Sequence, residues 1–241
     1  MQMTHHFIRH RGSLVVRFGL AAVAAGALLA VPASLAAQGA VSGRVSIAER
    51  PGEQTTDFSS TVIYLVPKDS ASMRTRPTSG AIAMNGRAFV PHVRVVTPGS
   101  RVAFPNQDPF SHNIFSSAPG AVFDLGLYPA GKSKDAPFRR PGAYAVYCNI
   151  HPRMTAFVVV SPSPWYAQAG NDGRWTIAGV PAGEYTLTVW HERAKTVTAL
   201  VIVGTSGLAD VATALDARGF RFVDHKNKFG RAYDPNSAIR Y

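Results

Sequence analysis

Apolar residues recur along most of this chain in short runs that alternate with polar ones, and Gly, Pro, Asn and Asp break the runs apart. Such runs cover residues 41–47, 61–66, 87–96, 101–104, 143–148, 156–160, 175–177, 185–190 and 197–203, and they are rich in Val, Tyr, Phe and Thr. A two-residue period in that composition predicts β-strands. Evenly spaced short strands predict an all-β chain folded as a sandwich or barrel. Two stretches read differently. The N-terminus carries the one clear helical pattern, and residues 208–215 carry a weak one. Pro162-Ser163-Pro164 reads as a linker or domain junction.

The N-terminus sets the compartment. Residues 1–17 carry Arg9, Arg11 and Arg17 and no acid, a small and apolar run follows to Val31, and Ser34-Leu35-Ala36 and Leu35-Ala36-Ala37 offer cleavage sites. A basic region, an apolar region and small residues in that order predict an export signal over residues 1–37, hence a periplasmic or secreted mature chain. The competing reading is an uncleaved anchor, but the apolar stretch is short for a full span and is broken by Gly and Pro. No later stretch is apolar for long enough to span, so no membrane span is expected once the signal is removed. About 200 residues then remain, room for one large or two small domains.

Charge adds a constraint on partners. The formal net charge is +11, and without Arg9, Arg11 and Arg17 22 basic residues face 14 acidic ones, a net charge of +8. That balance suits acidic partner proteins or anionic surfaces. Nucleic acid is not expected, because the chain is exported and shows no basic helix or aromatic nucleic-acid motif.

Candidate chemistry centres on the only cysteine, in Tyr147-Cys148-Asn149-Ile150-His151-Pro152-Arg153-Met154. A lone thiol in an oxidising compartment has no internal disulfide partner. Strand alternation places Tyr144, Val146 and Cys148 on one face, so an inward face carries the thiol to one end of a sandwich. A two-residue turn then returns His151, and Met154 closes the loop. A third strong donor fits at His112, in Asp108-Pro109-Phe110-Ser111-His112-Asn113, with His92 as a weaker alternative. Two imidazoles, a thiolate and a weak axial thioether form the ligand set of a mononuclear blue-copper site. Structural zinc is a poorer match, since thioether is not among its usual ligands. Phe104, Phe110, Phe115 and Tyr147 are candidates for a dry shell around the metal.

The segment 75–162 resembles the cupredoxins, and among them the amicyanin-like proteins. The resemblance rests on Val102-Ala103-Phe104-Pro105-Asn106, Ser111-His112-Asn113, Pro141-Gly142-Ala143-Tyr144-Ala145-Val146-Tyr147-Cys148 and the spacing Cys148-x2-His151-x2-Met154. It implies a Greek-key β-sandwich with one type 1 copper. In it His112, Cys148 and His151 would be equatorial ligands and Met154 the axial one. Asn113 would steady the ligand loops through hydrogen bonds, and His151 would be the electron port. A second resemblance, to carboxypeptidase regulatory-like (prealbumin-type) sandwiches, rests on residues 171–191 and on the upstream runs 42–47 and 61–66. It implies a second small β-sandwich built from 40–67 with 168–204, split by the copper domain. Two domains in tandem, with 40–67 as the first cupredoxin strands, is the simpler alternative. Residues 205–241 read as a basic tail, with His225 a solvated residue and the tail's charge suited to an acidic redox partner. His191 and Glu192 read as a strand rim.

These features point to an exported one-electron carrier with copper as its cofactor and redox proteins as its partners. Catalysis on copper needs an open coordination position or further copper sites, and no His-x-His cluster, hydrolytic triad or phosphate-binding glycine loop occurs. An electron-transfer protein is therefore expected rather than an enzyme. Copper binding and trafficking, or a non-redox β-sandwich binding module, are the alternative readings.

Overall fold

Strands that precede and follow the cysteine-bearing segment pair with each other. The computed structural model describes residues 38–69 and 73–233, and the expected export signal lies outside them. Among the described residues there are seventeen strands and no helix, and so none long and apolar enough to cross a membrane. Gln38–Ala48 sits between Arg174–Pro181 and Gly207–Asp216 in a three-stranded sheet. Val62–Pro67 sits between Tyr166–Gln168 and Gly183–Trp190 in a four-stranded sheet that ends in Val197–Val203. Thus Val41 faces Ile177 and Leu65 faces Leu187 across the pairs. Alternate residues point into a shared core, where Val41, Val45, Ile63, Leu65, Trp175 and Leu187 are buried. Gly43 is needed here, because a Cβ would run into the carbonyl of Val211.

Residues 208–215 form part of the strand Gly207–Asp216, parallel to Gln38–Ala48, and not a helix. Their apolar spacing fits either period, and the open sheet edge decides it. The pairing shifts between Val41 and Gly43, beside Asp210 in a left-handed conformation (φ 58°), after which Val211, Thr213 and Leu215 turn inward in alternation.

The sandwich that carries Cys148 lies between these strands in sequence. A five-stranded sheet runs in the order Val93–Val96, His151–Val160, Gly142–Cys148, His112–Ser116, Phe123–Tyr128. A three-stranded sheet, Ser133–Phe138, Ser100–Pro105 and Ser79–Ala81, supplies the other face. A hairpin of Ala83–Asn85 and Ala88–Val90 joins it at one end. Phe104, Ile114, Phe138, Val146, Cys148 and Val158 are completely buried in the core between them. The predicted run 87–96 is therefore two strands, Ala88–Val90 and Val93–Val96.

The two cores meet along a third, smaller one. Val62, Val93, Val95 and Val159 are buried there, with Tyr64, Phe157, Tyr166 and Trp190 packed against them. Strands apolar on both faces explain the unbroken runs Val62-Ile63 and Val158-Val159-Val160, because each face serves a different core. Pro162-Ser163-Pro164 joins the two sandwiches, between His151–Val160 and Tyr166–Gln168: Pro164 is exposed, Ser161 and Ser163 are fully buried, and the Ser161 N–H donates to the Val96 carbonyl at 2.8 Å.

Candidate metal centre

Three donor atoms converge at one end of the five-stranded sheet. Cys148 ends its strand facing inward, in line with buried Tyr144 and Val146. Asn149 and Ile150 make the turn, and His151 stands opposite Cys148. His112 opens the neighbouring strand, in which Ile114 pairs with Cys148. The Nδ1 atoms of His112 and His151 each lie 3.4 Å from the Cys148 Sγ. The three donors all fall within 4.8 Å of one another. Ligands at about 2.0 Å (imidazole) and about 2.3 Å (thiolate) from one ion stand about 3.4 Å apart when the angle between them is roughly 105°. The donor set therefore fits a single metal ion, with both imidazoles presenting the same nitrogen to the sulfur.

Asp108 fixes that presentation. Its Oδ2 accepts the His112 Nε2–H at 2.8 Å, which leaves Nδ1 as the free lone pair aimed at the sulfur. The same carboxylate accepts the backbone N–H groups of Gly86 at 2.6 Å and Arg87 at 3.0 Å. It thereby ties the tip of the Ala83–Asn85/Ala88–Val90 hairpin to His112. Arg87, held with φ 59°, lays its guanidinium over the Phe110 ring, 5.1 Å from the centroid. Phe110 in turn packs against both imidazoles, with centroids 5.2 Å from His112 and 5.8 Å from His151. Of the four residues expected to form a dry shell, Phe110 is the one seated on the histidines. Phe115 and Tyr147 stack behind the cysteine at 5.6 Å, and Phe104 lies in the core against Phe123.

Burial and charge prepare the donors. Burial, then the charge of His112 and of Arg87, pushes the His151 pKa down to about 4 against the opposing charge of Asp108. Burial also lowers His112, more than Asp108 raises it. Both rings are thus neutral near pH 7, the form that binds a metal. Burial raises the Cys148 thiol, against the pull of backbone N–H groups of Ile150, Asn113 and His151 that point at the sulfur. A cation is what converts such a thiol to thiolate.

Met154 is 2% exposed and belongs to the same buried core as Cys148. Tyr147 pairs with Thr155 but Cys148 pairs with His151, so Pro152, Arg153 and Met154 bulge out of the ladder. Such a bulge re-aims side chains and accommodates Pro152 within His151–Val160. Asn113 is buried; its carbonyl accepts the Asn149 N–H at 2.8 Å and its side-chain amide donates to Asp124 at 2.6 Å. His92 is outside the donor group and meets Glu192 at 2.6 Å. His191 is not on a rim: it is 3% exposed, and its Nδ1 accepts the Arg193 N–H at 3.1 Å. His225 is not simply solvated either, since its ring stacks on Tyr147 with centroids 4.4 Å apart.

Two parts of the site escaped the sequence reading. Asp108 had one signal, a carboxylate four residues before His112. The tail contacts had no local signal.

No family model matches the sequence, and no curated protein matches it. Among solved structures, the chain is similar to a purple cupredoxin from Nitrosopumilus maritimus, at 26% identity over 34% of this chain and 99% of that one, with a TM-score of 0.31. It is similar to amicyanin from Paracoccus versutus at 15% identity over 41% of this chain and 98% of that one, with a TM-score of 0.32. It is also similar to a copper-containing nitrite reductase from Thermus scotoductus SA-01 at 25% identity, over 39% of this chain and 25% of that one, with a TM-score of 0.33. At these TM-scores the side-chain geometry, and not the likeness, carries the functional reading.

Proposed function

We propose that this chain is an exported type 1 copper protein that carries one electron at a time, with His112, Cys148 and His151 as strong ligands and Met154 as the weak axial ligand. The observation that carries the reading is the pair of Nδ1 atoms, each 3.4 Å from one buried thiol sulfur. Bound copper would supply a couple between Cu(I) and Cu(II), which soft sulfur and imidazole donors both tolerate. The chain's own contribution is rigidity. Asp108 holds one imidazole, and the Asn149 N–H bonded to the Asn113 carbonyl holds the turn that carries the other. Donors fixed in this way would move little when the charge on a bound ion changed. Phe110 shields both rings on one side, which would limit water at a bound ion.

The segment 75–162 is read as a copper domain inserted into a carboxypeptidase regulatory-like sandwich, and the protein as periplasmic or secreted. Support for insertion is the pairing of Gln38–Ala48 with Arg174–Pro181 and of Val62–Pro67 with Gly183–Trp190.

The test is the visible spectrum on adding Cu(II) to the metal-free protein. An intense thiolate-to-copper band is expected, absent in Cys148→Ala and lost or altered in His112→Ala. A band unchanged in His112→Ala would refute the third ligand. No band at all in the wild type would refute the function. Slow release of copper in both oxidation states distinguishes a carrier from a trafficking protein.

A further inference from the structure

The last described residues return to the ligand loop. After Gly207–Asp216 the chain is anchored by the Ala217 N–H to the Ala48 carbonyl at 2.9 Å and by Arg50 to the Phe220 carbonyl at 3.0 Å. It then crosses to the other sandwich. The His225 Nε2 lies 3.2 Å from the carbonyl of His151, while its Nδ1 lies 2.9 Å from the carbonyl of Lys226, and the Tyr233 hydroxyl donates to the carbonyl of Cys148 at 3.0 Å. Two of the three metal-donor residues are therefore held by their backbones from the tail. Between these contacts the Lys228 N–H donates to the Asn149 Oδ1 at 2.9 Å, and the Lys228 Nζ meets Asp124 at 2.6 Å, the carboxylate that also holds Asn113. His225 stacks on Tyr147 and presents an edge to Phe115, with centroids 6.1 Å apart. Arg153 reaches Asp224 at 3.5 Å.

The segment has its own turn to make this reach. Asn227 accepts the N–H groups of Phe229 and Arg231 through its side chain, both at 3.0 Å, and its own N–H donates to the Arg231 carbonyl at 2.8 Å. That turn reverses the chain and brings Tyr233 back to Cys148. The rest is not bedded on the fold: a cavity of about 530 Å³ lies between residues 220–228 and Thr155, Phe157 and Glu192. Phe222, Val223 and Phe229 point to solvent, at 55%, 78% and 73% exposure. The contacts concentrate on the loop that carries the ligands and are sparse elsewhere.

We propose that residues 220–233 are a strap that clamps the Cys148–His151 turn and governs how fast the bound metal is released. Cys148 is buried, but Asn149, Ile150 and His151 are only half-buried, and a half-buried turn at a sheet end opens locally more easily than the core strands. The strap supplies hydrogen bonds to both carbonyls and an aromatic lid over Tyr147. Metal release requires His151 or Cys148 to swing away, and the strap must lift first.

The metal part of this inference rests on the copper reading, whereas its effect on the turn does not. The test uses the full chain with His225→Ala and Tyr233→Phe combined, which removes both carbonyl contacts and no ligand. In the metal-free protein, amide hydrogen exchange at Asn149, Ile150 and His151 should quicken on the order of tenfold to a hundredfold, the loss of two hydrogen bonds and a ring stack. Exchange at Val146 and Leu187 should not change. In the copper-loaded protein, transfer of copper to a chelator should quicken by a similar factor with the visible band unmoved. If the double variant loosens the cores as well, Tyr233→Phe alone decides, read at the same amides. Unchanged exchange at the turn overturns the strap. Faster exchange in a protein that takes up no copper upholds the clamp while the copper reading falls. Copper binding with unchanged exchange and release does the reverse.

Discussion

Replacing Asp108 by Asn tests whether the carboxylate below His112 belongs to the metal site. The residue is 3% exposed, and its carboxylate accepts three hydrogen bonds, from Gly86 on Oδ1 and from Arg87 and His112 on Oδ2. An amide has one oxygen. With that oxygen on the Oδ2 side, the Gly86 N–H faces an NH2 group. With it on the Oδ1 side, the Arg87 N–H is orphaned and His112 must accept at Nε2, which moves its proton to Nδ1 and blocks the lone pair that faces the sulfur. Either rotamer leaves at least one buried donor unpaired, at a cost of about 1–3 kcal/mol to the metal-free fold. Removing a carboxylate that orients a ligating histidine typically lowers metal affinity about 10–100-fold. Urea unfolding of the metal-free protein reads the first quantity, and competition against a chelator of known strength reads the second. Affinity equal to wild type would show that Asp108 serves the hairpin alone. Equal stability as well would refute the hydrogen-bond reasoning.

Other expectations follow from particular residues. Buried His191 has its pKa pushed down to about 4, by burial and then by the charge of Arg193. An unfolded histidine titrates near 6.5, so the native fold keeps its full stability above that pH and loses on the order of 3 kcal/mol from this group as pH falls from about 6.5 to 4. His191→Gln should flatten that acid slope in denaturant titrations at the two pH values, and an unchanged slope would contradict it. Met154→Leu conserves volume and should cost less than about 1.5 kcal/mol of stability. It should nonetheless shift the copper reduction potential and the visible band, and identical values would remove Met154 from the ligand set. A fragment of residues 75–162 should fold and take up copper, but it should self-associate through Val93, Val95, Phe157 and Val159, the seam it would leave bare. Failure to fold at all would count against an inserted domain that folds by itself.

What was legible in the sequence was what local spacing encodes. A strand period that ends on Cys148, followed by a two-residue turn to His151, is a short-range pattern, and the two residues stand opposite each other in the ladder. His112 was readable from its neighbours and lies on the adjoining strand. What was not legible depends on partners far along the chain. The basic, aromatic composition around His225 suggests a solvated tail, yet its partner carbonyl belongs to His151, 74 residues earlier. The apolar spacing of Leu208, Val211 and Leu215 suits one face of a helix, but pairing with Gln38–Ala48 settles a strand instead. Asp108 acts on the hairpin tip through Gly86 and Arg87, and no pattern in the chain announces that meeting.

The missed elements belong together physically. The strand Gly207–Asp216 belongs to the sandwich that holds none of the metal donors, and its continuation reaches the turn that holds two of them. The same sandwich meets the other through the valine seam and through Glu192 on His92. A tail rooted in a mobile domain could not hold two carbonyls at fixed distance, because lost root order would appear at the turn as lost contact. The buried seam supplies that fixed root. If residues 220–233 act as the proposed strap, the sandwich that contains Gln38–Ala48 is the frame from which they bear on the Cys148–His151 turn. Loosening the seam, for example at Val159, should disturb the turn even though Val159 touches no donor.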